Sequence, residues 1–178
     1  MIVLGILAFL LFVLGDVNDA YIKKHALKHS FAVGLLMLAT ATICRFGFWN
    51  KSKIVWIALG AIFLSYLLRA LFGSFSNKEA YSETPKNREV DNTGLYTMCR
   101  HPGVLFFAGL YLCLHFGIGL PWLDTLLYIG LNLALATLED KYFFPEFLEG
   151  YEKYRDEVPF LIPTKDSIKN SMKKTDRG

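Results

Sequence analysis

The chain has 178 residues, of which 53% are hydrophobic, a formal net charge of +3 and a mean hydropathy of +0.34. This is too apolar for an ordinary soluble domain, and so small a net charge gives no reason to expect a nucleic-acid partner. Cys44, Cys99 and Cys113 show no paired spacing, so nothing suggests a disulfide framework, and no Cys-x-x-Cys or His-rich cluster points to a metal.

Five apolar runs follow one another. The first, Met1 to about Val17, carries no basic flank and meets Asp16, so a first membrane helix is expected rather than a cleaved signal peptide. It is short for a span and needs the residues after it. The second runs from Phe31 to Trp49 with Arg45 near its end, and the third from Ile54 to Gly73 with Arg69 near its end. Both arginines are expected to snorkel toward headgroups. The fourth is Gly103 to Leu120, and Pro121-Trp-Leu-Asp124 turns it directly into the fifth, Trp122 to Leu138. Runs of about 17–20 residues suit a hydrocarbon core of roughly 30 Å. The fold class expected is all-α, a polytopic membrane protein of five spans.

The basic residues set an orientation. With the C-terminus inside, 15 of the 19 Lys and Arg residues fall in the first loop, the third loop and the tail, against only Lys51 and Lys53 outside. The positive-inside rule then places the N-terminus outside and the C-terminus in the cytoplasm. The inner loop from Ser74 to Thr93 is polar and long enough to be a connector or a binding loop. Pro145 is expected to end the fifth helix near Phe144 and open another. Phe147, Tyr151, Tyr154 and Val158 then share one face of a cytoplasmic amphipathic helix. Residues 1–163 are read as one membrane-embedded domain, and 164–178 as a basic, disordered cytoplasmic tail.

The chemistry concentrates in Gly94-Leu-Tyr-Thr-Met-Cys-Arg-His-Pro102, where the polar loop meets the fourth span. Pro102 suits a helix's first turn, because the N–H it lacks would be unpaired there anyway. The short turn after Leu120 forces an antiparallel hairpin, which brings Glu139 and Asp140 level with Arg100 and His101; Tyr96 lies one turn upstream. Such groups at a membrane edge are either an ion-pair lock for the hairpin or a functional site. Within the hairpin, His115 lies level with Tyr128 and Tyr111 with Asn132, and each pair is expected to form an interhelical hydrogen bond.

The pattern Gly94-x-Tyr96-x-x-x-Arg100-His101-Pro102, followed by an apolar hairpin, resembles the signature of the isoprenylcysteine carboxyl methyltransferase family, which is related to phospholipid methyltransferases. The resemblance continues through Glu139-Asp140, Phe143, Phe147, Tyr151, Tyr154, Val158 and Pro163, covering about Asp91 to Pro163. The chain differs from the family at Val104 and Phe106, where Tyr and Gly are usual, at Asp140 (usually Glu) and at Leu135 (often basic).

The resemblance implies an integral membrane S-adenosylmethionine-dependent methyltransferase acting on a lipidic or isoprenoid acceptor, carboxylate or amine, at the cytoplasmic face. It implies a cofactor site of Tyr96, Arg100, His101, Pro102, Glu139, Asp140, Tyr151 and Tyr154, with His101 and Arg69 as catalytic candidates. Arg100 or His101 would take the methionine carboxylate and Glu139 the amine or ribose. Arg69 would orient a carboxylate acceptor, and His101 would accept the proton of an amine. Two other readings are a non-catalytic membrane scaffold of the same fold and a nicotinamide-dependent membrane reductase.

Overall fold

A computed structural model describes residues 1–46, 54–72, 88–90, 92–165 and 167–169. The loop residues 73–87 and 91, the segment 47–53 with Lys51 and Lys53, and the tail beyond 169 lie outside the described residues, and with them most of the expected binding loop. The structure is mostly helical, with α1 (Ile2–Val17), α2 (Ser30–Ile43), α3 (Ile54–Phe72), α4 (Pro102–Ile118), α5 (Trp122–Leu138), α6 (Phe144–Phe147) and α7 (Tyr151–Glu157). Among the described residues the one sheet is a two-residue parallel pairing of β1 (Arg88–Glu89) with β2 (Leu148–Glu149).

Among the described residues, three stretches are long and apolar enough to cross a membrane: Ile2–Ile22, His25–Ile43 and Ile54–Phe72. The first gains its length from a π-helical turn, Asn18–Ile22, that continues α1. That turn ends at Lys23 in the left-handed region (φ 56°), pinned by Asn18, whose carbonyl and Oδ1 accept from the N–H groups of Lys23 and Lys24. α4, at 17 residues, spans about 26 Å, somewhat less than a typical hydrocarbon core. Leu10, Leu36, Val55, Leu68, Leu123 and Leu126 point outward from these helices, as lipid-facing side chains do.

The main helix contacts run α3–α4, α4–α5, α5–α1 and α1–α2. A core of Phe9, Phe12, Leu38, Leu67, Phe107, Tyr111, Tyr128 and Leu135 fills the space between them. Small residues permit the close approaches. A Cβ on Gly5 would collide with the Tyr128 ring, and one on Gly109 would meet Phe63 at 2.5 Å.

The α4–α5 turn is tightly made. Gly119 takes a left-handed conformation (φ 77°), letting its N–H bond the His115 carbonyl and the Leu120 N–H reach Leu114. His115 Nδ1 bonds the Leu120 carbonyl at 2.6 Å, and its ring lies on Trp122. His115 therefore serves its own turn and not Tyr128, whose hydroxyl is buried without a hydrogen-bond partner. Tyr111 bonds Thr42 on α2 at 2.8 Å, and Asn132 is not its partner. Side-chain direction, rather than level along the hairpin, decides both pairs.

Arg45 does not snorkel freely. Its Nε donates to the fully buried Asp124 at 2.6 Å, tying the end of α2 to the first turn of α5.

Candidate functional site

Pro102 begins α4 and is buried, as its missing N–H allows. Immediately before it, the backbone N–H groups of Arg100 and His101 donate to the carbonyls of Pro159 and Phe160, so the residues after α7 return to the start of α4. α5 passes into a π-helical turn, Glu139–Phe143, and α6 follows with Pro145 in its first turn. Gly150, at φ 80°, then allows the chain to start α7 in a new direction. The expected amphipathic helix is therefore divided: Phe147 belongs to α6, while Tyr151 and Tyr154 with Val158 form the buried face of α7. That face packs against Val90, Tyr96, Phe144 and Leu148. The tail opens with a turn in which Thr164 and Ser167 bond one another's backbone, so order extends past the expected boundary.

The hairpin aligns Arg100 and His101 with Glu139 and Asp140, and Arg100 pairs with Asp140 rather than Glu139. Arg100 Nε lies 2.7 Å from Asp140 Oδ1 and its Nη2 3.1 Å from Oδ2, a bidentate bond between side chains 9% and 8% exposed. Nη1 donates to the carbonyls of Arg155 and Val158, capping the end of α7. Four of the five guanidinium N–H groups are thus engaged within the protein. Tyr151 donates to Asp140 Oδ1 at 2.7 Å. Burial would raise the Asp140 pKa, but the close approach of His101 and the bonds from Tyr151 and Arg100 outweigh it and hold the carboxyl below the usual range. Burial and the Asp140 carboxylate hold the Tyr151 phenol well above its usual range.

His101 is 7% exposed, stacked on Phe144 and tilted against Phe160. Its Nδ1 lies 3.6 Å from Glu139 and its Nε2 3.4 Å from Asp140, while Nε2 is buried without a hydrogen-bond partner. Glu139 has no such lock. Burial first, then the charges of Asp16 and Asp140, push its carboxyl up to about 8. Tyr96 donates from its hydroxyl to the Ala70 carbonyl of α3 at 2.7 Å and accepts at its own carbonyl from Tyr154.

Comparison with known protein families, curated proteins and solved structures gives no match. The site is therefore read from its own residues.

Tyr96, Arg100, His101, Pro102, Glu139, Asp140, Tyr151 and Tyr154 lie together around the start of α4. Arg69 stands apart, exposed on the last turn of α3, although Tyr96 bonds the residue beside it. Sequence reasoning missed Asp16, whose charge reaches Glu139, and the aromatic walls Phe144 and Phe160. Asp16 had a signal: an acid at the end of an apolar run is costly unless paired or used. Tyr154 also lines an open cleft of about 360 Å³ with Val90, Asn92, Glu149 and Lys153, where Asn92 Oδ1 is buried without a partner.

Proposed function

We propose that this protein is an integral membrane S-adenosylmethionine-dependent methyltransferase of five spans, with its N-terminus outside and its C-terminus in the cytoplasm. Its acceptor is lipidic or isoprenoid, carrying a carboxylate or an amine. The observation that carries the reading is the division of labour at the α4–α5 junction. Arg100 and Tyr151 both bond Asp140, while His101 beside them keeps an unpartnered Nε2 and Glu139 has no Lys or Arg partner among the described residues.

These residues fit a zwitterionic, cationic cofactor. Glu139 accepts from its ammonium group, and His101 donates to its carboxylate, a role open to His101 because Arg100 is otherwise engaged. Phe144 and Phe160 hold the imidazole in place and keep water from its faces. The cleft beside Tyr154 is open and adds the polar side chains of Asn92, Glu149 and Lys153. When bound, the cofactor would supply an electrophilic methyl group to the acceptor's oxygen or nitrogen, with its sulfur, released as a neutral thioether, as the leaving group. For a carboxylate acceptor the protein need only align the partners. For an amine, His101 accepts the proton that the nitrogen loses.

One observation favours a second reading, a scaffold without activity: the donors of Arg100 are engaged internally. Calorimetric titration of S-adenosylmethionine into the detergent-purified protein separates the two. Wild type should bind, His101→Ala and Glu139→Gln should bind more weakly, and His115→Ala should lose stability rather than affinity. Wild type that does not bind would remove the methyltransferase reading.

A further inference from the structure

Asp16, the second-last residue of α1, has no role in the scheme above, yet its Oδ2 is buried without a hydrogen-bond partner. The end of α1 rests on the π-helical turn carrying Glu139 and Asp140. The contact is fixed where Tyr21 donates to the Tyr142 carbonyl at 3.0 Å and its ring meets Phe143. Asp16 is near enough to Glu139 for its charge to be felt there. Beside Glu139 stands His101, 7% exposed, with Nε2 lacking a hydrogen-bond partner and the ring facing Glu139 and Asp140.

Charge makes this arrangement incomplete. Arg100 is committed to Asp140, and among the described residues no Lys or Arg pairs with Asp16 or Glu139. Two neighbouring carboxyl groups largely removed from water, with only the His101 imidazole beside one of them, are costly to ionise, and a bound cation relieves that cost. A metal ion is a poor candidate, since no group of three or more metal-binding side chains occurs among the described residues. A primary ammonium suits better, because it brings one charge and three N–H donors to the carboxylate oxygens.

We propose that Asp16 and Glu139 together form the ammonium-binding end of the site, Asp16 being a ligand-contacting residue contributed by α1. This rests on the methyl-donor reading. It predicts that α1, which lies outside the motif-bearing half of the chain, takes part in recognition.

The test compares full-length wild type with Asp16→Asn, in detergent, against three probes. S-adenosylmethionine carries a sulfonium and an ammonium, S-adenosylhomocysteine an ammonium alone, and 5′-methylthioadenosine neither. Asp16→Asn should weaken binding of the first two by about tenfold, as expected for losing one charge-assisted contact, and leave the third unchanged. Without ligand its melting temperature should equal or exceed that of wild type, since an uncompensated carboxyl has been removed. Unchanged affinity for all three probes overturns the inference. Equal weakening of all three reveals a structural effect and also overturns it, and loss for S-adenosylmethionine alone assigns Asp16 to the sulfonium instead. Should Asp16→Asn fail to fold, Asp16→Ser serves in its place under the same criteria. Wild type that binds none of the probes removes the methyl-donor reading, and the inference falls with it; wild type that binds while the variant matches it removes the inference alone.

Discussion

Cutting the bond between Arg100 and Asp140 should destabilise the protein more than any other single ion-pair change near the site. Both side chains are over nine-tenths buried, the bond is bidentate, and Arg100 also caps α7 while Asp140 accepts from Tyr151. Removing one partner leaves the other charge buried and unpaired, at about 3–5 kcal/mol. For a chain of this length that lowers the melting temperature by roughly 6–20 °C. Arg100→Ala and Asp140→Ala should each show this loss, and the double variant should lose much less than the sum, because it leaves no orphan charge. The expected coupling is about 2–3 kcal/mol. Arg100→Ala combined with Glu139→Ala should be additive within about 0.5 kcal/mol, since Glu139 faces His101 rather than Arg100. Reversible unfolding in mixed micelles measures both cycles. Additivity for Arg100 with Asp140, or equal coupling to Glu139, would refute this account of the junction.

Glu139 binds its proton more tightly folded than unfolded, with its pKa moved from 4.5 to about 8. Its contribution to stability is therefore full below about pH 4.5 and lost as pH rises through about 8, so ligand-free wild type should melt lower at pH 8.5 than at pH 5.5, and Glu139→Gln should flatten that slope. A Cβ on Gly5 would strike the Tyr128 ring, whereas one on Gly130 would meet open space. Gly5→Ala should cost about 1–3 kcal/mol, and Gly130→Ala should be neutral or stabilising by up to about 1 kcal/mol in the same unfolding assay. With the exposed Cys44 replaced by Ser, an impermeant thiol reagent outside the cell should label Ser52→Cys and spare Lys165→Cys; the reverse would invert the topology.

The helical elements were legible because apolar runs and their punctuation are local signals. The fourth and fifth runs match α4 and α5 nearly residue for residue, since Pro102 and Gly119-Leu-Pro121 mark their ends chemically. The hairpin also made the meeting of Arg100 and His101 with Glu139 and Asp140 foreseeable. Which acid Arg100 would choose was not, because a π-helical turn at Glu139–Phe143 rotates the side chains away from simple α-helical register. The same limit explains Tyr111 and Thr42: a bond to α2 depends on how non-adjacent helices pack, which neither period nor turn length encodes. Asp16 comes near Glu139 through the docking of α1 against α5, a tertiary event with only the acid itself as a trace in the sequence.

Methyl transfer to a membrane-borne acceptor is tested by incubating wild-type protein and His101→Ala, in membranes, with S-adenosylmethionine carrying a labelled methyl group, and measuring label in the extracted lipid. Label should appear in lipid with wild type and fall greatly with His101→Ala. Label that stays in the aqueous fraction with wild type, while a known membrane methyltransferase run alongside transfers it, would contradict the claim.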